Sequence, residues 1–189
     1  MNPHVDDARS LVNALTCDVE DYFQVSALAP HFPRSGWDGT PCRVEANVDR
    51  ILALMDAAGA KGTFFTLGWI AERYPALVRR IAEAGHEIAS HGYGHRRVTE
   101  QNRQEFSEDI LLAKRILENI TGQPVKGYRA PSFSINKSNL WAFECIRDAG
   151  YQYSSSVYPI RHDHYGAPDA PRFAWPPWAS RSWPTTSST

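Results

Sequence analysis

Several features that mark specialised chains are scarce here. The cysteines, Cys17, Cys42 and Cys145, are few, odd in number and widely spaced, so neither a disulfide framework nor a cysteine-built zinc site is indicated. No charge of one sign dominates: 20 basic residues stand against 21 acidic ones, for a net charge of -1. A chain that binds nucleic acid by neutralising phosphates carries a basic excess, so no nucleic-acid partner is expected. No window approaches the roughly 20 apolar residues of a membrane-spanning helix, and no transmembrane segment is expected. Residues 1–10, with His4, Asp6, Asp7 and Arg9, hold no apolar stretch that could form a signal-peptide core. A reduced, cytoplasmic setting fits these absences, with association to the inner face of a membrane as a variant. Internal repeats are absent too, and nothing speaks to oligomeric state.

What is present is an ordinary globular composition, 42% hydrophobic over 189 residues, enough for one domain with a real core. The apolar run Leu11 to Cys17 breaks into Asp18, Val19, Glu20 and Asp21, as a buried strand does where its end reaches a polar site. A long turn-rich connection follows from Tyr22 to Pro41. Val48, Ile51, Leu52 and Met55 then recur at helical spacing up to Gly59, and Gly62 to Leu67 reads as a strand. Pro75 opens a second helix that closes at Gly85, and Glu87 to Ser90 is the next strand. Phe106, Ile110, Ala113, Leu117 and Ile120 mark a third helix before Gly122, with a strand end at Gly127 to Ala130. Leu140, Phe143 and Ile146 mark a fourth helix that ends at Gly150, and Tyr151 to Ser156 is the last strand. Strand and helix alternate, which predicts an α/β fold with a parallel sheet, open or closed into a barrel, and a ligand site at the carboxyl ends of the strands.

The polar strings fall at such ends. His91-Gly-Tyr-Gly-His95 follows the strand Glu87 to Ser90 and sets two imidazoles four residues apart. Zinc and related divalent ions accept such a pair and need a carboxylate or water to complete the shell. Asp18, Glu20 and Asp21 can supply it, and Asp18 and Glu20 share a face of their strand. A bare pair of histidines four apart is more often surface polarity, and its two glycines argue against a helix. The conjunction with an acidic strand end and with Arg129-Ala-Pro131 at a later one strengthens the metal reading without deciding it. His162-Asp-His164 also has ligand spacing, but in a Pro- and Gly-containing loop it is more often solvated or part of a cleft wall. Tyr22, Phe23 and Trp37 serve either as sugar-stacking platforms or as core. Cys17 is read as a small buried residue rather than a nucleophile.

These motifs, with the longer strings DVEDYFQV, KGTFF, GHEIASHGYGH and GYRAPSFS, resemble the polysaccharide deacetylase family, also described as the NodB homology domain or carbohydrate esterase family four. The likeness extends to the subgroup that accompanies exosortase and exopolysaccharide loci. It implies an incomplete or distorted (β/α) barrel that removes N-acetyl groups from amino sugars of a polysaccharide, oligosaccharide or precursor. Asp18 would be the general base, Glu20, His91 and His95 the ligands of a divalent metal, zinc first and cobalt next. Arg129 would secure the Asp18 carboxylate by a charge-assisted bond, and Pro131 and Ser132 would meet the substrate, the Ser132 N–H helping to hold the oxyanion. Most members carry adjacent aspartates where this chain has Asp18-Val-Glu20-Asp21, so Glu20 and Asp21 both stand as candidate ligands, with strand geometry favouring Glu20. The later Asp and the Leu-x-His motif, whose imidazole is the family's general acid, are not found. The expected domain runs over residues 11–172. Residues 173–189 read as an irregular tail, truncated or frameshifted. An inactive carbohydrate-binding remnant and an allantoinase-like hydrolase of other C–N bonds are the competing readings.

Overall fold

A computed structural model describes residues 13–163 and 165–176. Five strands, β1 (Thr16–Val19), β2 (Thr63–Thr66), β3 (Glu87–Ser90), β4 (Gly127–Tyr128) and β5 (Tyr153–Ser154), pair in parallel in the order β1-β2-β3-β4-β5. Each parallel neighbour needs a crossover. Helix α1 (Val44–Ala57) supplies the first, α2 (Gly68–Arg73) with α3 (Pro75–Glu83) the second, α4 (Arg103–Thr121) the third and α5 (Trp141–Asp148) the fourth. A strand order that never reverses is that of a (β/α) barrel rather than a doubly wound sheet. Among the described residues β1 and β5 are left as edges, so the fold is α/β with an incomplete barrel, as expected.

Pairing register does more than hold the sheet together. Val19 pairs with Thr66, Thr66 with Ser90, Ser90 with Tyr128 and Tyr128 with Ser154. One row therefore crosses all five strands, and the residues that follow it, Glu20, Leu67, His91, Arg129 and Ser155, leave the sheet at one rim.

Beneath that rim the core is apolar. Phe64, Phe65, Ala89 and Tyr128 are buried in the sheet, and Phe106, Ile110, Ala113 and Leu117 present a fully buried stripe of α4. Helix α4 forms where it does because Asn102 and Glu105 make a reciprocal capping box at its start and Gly122 ends it in the left-handed region at φ 67°.

Three expectations shift. The first strand begins at Thr16 and contains Asp18, because its pairing with β2 rather than the apolar run sets its limits; residues 11 and 12 of the expected strand lie outside the described residues. Helix α2 was not expected: it buries Gly68, Trp69, Ile70 and Ala71 in succession, so no helical period shows. The connection after β1 folds into short 3-10 turns that bury Phe23 and Trp37. Of residues 173–189, Phe173 is exposed, Trp175 meets Phe143 edge-on, and residues 177–189 lie outside the described residues.

Because Ile110 is fully buried on α4, Ile110→Ala is expected to cost about 2–5 kcal/mol. Asn102→Ala, which removes only the cap, should cost about 1 kcal/mol. Urea denaturation of the two variants checks the order.

Candidate active site

The arginine that follows β4 organises one half of the rim. Arg129 is buried and donates from Nη1 to Asp18 Oδ1 at 2.6 Å, from Nη2 to Thr16 Oγ1 and Ser155 Oγ at 3.0 Å each, and from Nε to the Ser155 carbonyl at 3.3 Å. Its guanidinium lies 4.0 Å from the Phe65 ring centroid. Every face of the guanidinium is committed, so Asp18 is held from one side and its Oδ2 is turned toward His91 Nε2, 3.9 Å away. Three serines fasten β5 to this half: Ser155 through Arg129, Ser156 Oγ by accepting from Ala130 N at 2.9 Å, and Ser154 Oγ through Ser156 Oγ at 2.6 Å.

The other half is a non-helical turn. Gly92 adopts φ 76° and His95 φ 51°, the latter a conformation that costs roughly 1–3 kcal/mol in a non-glycine residue. A half-buried carboxylate holds the turn: Asp109 of α4 accepts from Tyr93 N at 2.8 Å and from Gly94 N at 3.3 Å. Burial raises the Asp109 carboxyl above the usual range, opposed by those two amides. A side chain at Gly92 would bring its Cβ to 2.7 Å from Asp109 Oδ2, so glycine is required there on two counts. Arg34 closes the turn from outside by donating to the Gly94 carbonyl at 2.6 Å.

Both halves converge on three candidate ligand atoms. Glu20 Oε2 lies 2.8 Å from His95 Nε2 and 3.9 Å from His91 Nε2, and the ligand atoms of Glu20, His91 and His95 all fall within 4.8 Å of one another. His91 Nδ1 sits 2.9 Å from the Arg129 carbonyl, which can only accept. That nitrogen therefore carries the proton and Nε2 turns a lone pair inward. Burial pushes the His91 imidazolium down against the pull of Asp18 and Glu20, keeping the ring neutral. Burial would raise the Glu20 carboxyl, but its contact with His95 and the nearby histidines outweigh this and hold it below the usual range. Glu20 Oε2 is nonetheless a buried oxygen without a hydrogen-bond partner. Two imidazoles and a carboxylate converging in a buried pocket suit a cation. The donor set, two imidazoles and one carboxylate, fits a divalent ion.

Asp21 has other work. Its buried carboxylate accepts from Tyr22 N at 2.8 Å, from Cys42 Sγ at 3.0 Å and from Arg43 N, which ties the connection after β1 to the start of α1. Asp18, Glu20, His91, His95 and Ser132 all line one cavity of about 570 Å³, a size typical of small-ligand sites. Pro131 is buried beneath the turn, outside that lining, while Ser132 takes φ 53° at the wall and bonds Ser26 Oγ at 2.7 Å. Phe23 and Trp37 belong to the core with Trp69, and Tyr22 packs on Phe32 and under Arg43. Cys17 is partly buried and its thiol is raised by desolvation and by Asp18, the opposite of an activated nucleophile. His162 lines the cavity; His164 lies outside the described residues.

Asp109 and Ser155 are not among the residues the sequence points to. A signal for Asp109 exists: it stands three after Phe106 and four before Ala113, an acid on the apolar stripe of its own helix. Ser155 has none, since a serine after a strand is unremarkable until Arg129 is placed beside it.

Fold and site define a (β/α) scaffold whose rim brings together a candidate ligand triad. The polysaccharide deacetylase family model matches residues 36–154, and the chain belongs to that family. The match contains His91, His95 and Arg129, while Asp18 and Glu20 precede it. A peptidoglycan-N-acetylglucosamine deacetylase of Bacillus cereus is 36% identical over 96 residues, half of this chain and 35% of the relative. The peptidoglycan-N-acetylglucosamine deacetylase PgdA of Listeria monocytogenes is 33% identical over 87 residues, 46% of this chain and 19% of the relative. Among solved structures, a candidate polysaccharide deacetylase from Mycobacterium smegmatis superposes with a TM-score of 0.64 at 30% identity, covering 79% of this chain and 52% of that one. The fold is also shared, at TM-score 0.54 and 22% identity over 58% of this chain and 38% of the other, with a Bacillus anthracis pseudoenzyme of carbohydrate esterase family four. This chain thus spans about a third of the Bacillus cereus relative and less of the Listeria one.

Asp109→Ala should release the His91–His95 turn and weaken affinity for a divalent ion about 10–100-fold. Titration calorimetry with zinc checks this; an unchanged affinity would mean that the turn holds itself.

Proposed function

We propose that this chain carries the hydrolytic centre of a metal-dependent deacetylase that removes N-acetyl groups from amino sugars of a polysaccharide or its precursor. One observation carries the reading: ligand atoms of Glu20, His91 and His95 within 4.8 Å of one another, beside an Asp18–Arg129 pair, in a single cavity. Glu20, His91 and His95 are the residues that would hold the ion. Zinc is the first choice for two imidazoles and a carboxylate, and cobalt tolerates the same set. When bound, such an ion supplies Lewis acidity to the acetamide carbonyl and to a water beside it.

The chain's own residues do the rest. Asp18 stands apart from the three-atom group with Oδ2 turned inward, placed to accept a proton from the attacking water as general base. Arg129 fixes its angle through the 2.6 Å bond and, being tied to Thr16 and Ser155, does not follow the substrate. The Ser132 N–H, on the cavity wall, is the donor assigned to the developing oxyanion. Val25, Ala27 and Ala130 give the cavity an apolar lining that suits an acetyl methyl group.

The named activity of the Bacillus and Listeria relatives on peptidoglycan N-acetylglucosamine supports an N-acetylglucosamine polymer as substrate class. The likeness of DVEDYFQV and GYRAPSFS to the exopolysaccharide-locus subgroup supports a polymer of that kind. Binding of glycan without turnover is the second reading, and a fold shared with a pseudoenzyme favours keeping it in the test.

Acetate release from N-acetylglucosamine oligomers in the presence of zinc or cobalt is the measurement. It should stop on chelation, and Asp18→Asn should lower it about 10²–10⁴-fold while leaving ion affinity intact. Tight binding of ion and glycan with no acetate from any polymer would leave the binding reading alone standing.

A further inference from the structure

The two glycines of His91-Gly-Tyr-Gly-His95 have different causes. Gly92 takes a positive φ, and Gly94 does not. At Gly94 the constraint is a neighbour: a Cβ there would overlap Nη1, Cζ and Nη2 of Arg34, so the missing side chain makes room for a guanidinium. The carbonyls of Gly92 and Tyr93 accept from Gly68 N at 2.8 Å and from Trp69 N at 3.0 Å, at the start of α2. The Gly94 carbonyl accepts instead from Arg34, a residue of the connection after β1. That carbonyl lies in the peptide plane leading into His95, so whatever fixes it fixes the entry to a ligand held at φ 51°.

Arg34 is in turn fastened to the wall of the cavity. Its Cζ lies 5.0 Å from the Trp37 ring centroid and 5.5 Å from that of Tyr93, one ring from its own segment and one from the turn. Trp37 is buried against Phe23 and Trp69 and donates from Nε1 to the Phe32 carbonyl at 3.2 Å. Phe32 N and His31 N donate to the Leu28 carbonyl at 3.1 and 2.9 Å. These bonds lead back to Val25, Ser26, Ala27 and Pro30, which line the cavity, and Ser26 is bonded to Ser132 on the same lining. A continuous run of contacts thus joins the peptide before His95 to the surface a glycan would meet, and Arg34 is the residue at which turn and segment are joined.

We propose that Arg34 is a positioning residue that couples the ion site to the cavity wall, an assignment that rests on the deacetylase reading for that site. With a divalent ion held by Glu20, His91 and His95, the Gly94 peptide is fixed, and through Arg34 residues 25–37 are stiffened in the place where the sugar lies. Linkage is reciprocal, so a sugar that settles the wall also tightens the hold on the ion. A guanidinium suits the joint because it donates to the carbonyl while its plane packs on aromatic rings.

Hydrogen exchange of the full chain, read by mass spectrometry with and without zinc, tests the coupling. The wild type is compared with Arg34→Met, which keeps an unbranched stem between the two rings, and Arg34→Gln, which keeps a polar end too short for the Gly94 carbonyl. Zinc is expected to slow exchange over residues 25–37 about 5-fold or more in the wild type and to have no effect there in either variant, while residues 87–95 are slowed in all three. Either variant suffices if the other does not fold. A merely structural role would speed exchange over residues 25–37 equally with and without zinc, and a zinc effect in the variants as large as that of the wild type overturns the coupling. A wild type that binds zinc by calorimetry but leaves residues 25–37 unchanged also overturns it and leaves the deacetylase reading standing. A wild type that takes up no zinc sinks the ion site of that reading, and the role of Arg34 with it.

Discussion

The hydrogen-bond register of the parallel sheet is the constraint on which the other features of this molecule depend. Val19, Thr66, Ser90, Tyr128 and Ser154 pair along one row, so the next residue of each strand leaves at the same height. Glu20, His91, Arg129 and Ser155 come from four separate stretches of chain and are neighbours for this reason alone. Slipping any strand by one residue would send its functional side chain to the opposite face. The core beneath, with Phe64, Phe65 and Tyr128 buried in the sheet and the stripe of α4 packed against it, makes such slips costly.

Above that row the electrostatics are arranged in two tiers. Arg129 gathers Asp18, Thr16 and Ser155 into a hydrogen-bonded set and offers its own carbonyl to His91. The same residue therefore places a carboxylate and chooses the tautomer of an imidazole. The second tier is left unsatisfied: Glu20 Oε2 is buried without a hydrogen bond among inward-facing nitrogens. Buried polar atoms without partners are destabilising, by about 1–3 kcal/mol each, and the fold bears this where a cation would turn the cost into binding energy. Asp109 bears a related load, half-buried and raised by desolvation while two amides of the His91–His95 turn have it as acceptor.

Legibility in the sequence followed how local each signal was. Helices α1, α3, α4 and α5 were readable because apolar periodicity, Pro75 and the terminal glycines are written within one stretch. Helix α2 was not, because burial on all sides erases the period. The histidine pair and the acidic string after β1 were legible as types of donor, yet the turn that joins the histidines is not helical, and spacing alone could not describe it. Asp109 was hidden in plain view on an apolar stripe. Ser155 acquires meaning only through its contact with Arg129, far away in the chain.

By itself the sequence determined the order of strands and helices, the supply of imidazole and carboxylate at strand ends, and the glycine without which the turn at Gly92 could not close. These are local matters of backbone conformation and side-chain chemistry. Only the tertiary structure decided which carboxylate faces the histidines, since Asp18, Glu20 and Asp21 differ little in sequence terms. Arg129 takes Asp18, the amides of Tyr22 and Arg43 take Asp21, and Glu20 is the one left pointing at His91 and His95. The choice is made by hydrogen-bond partners that arrive from other strands, and no reading of neighbours along the chain contains them.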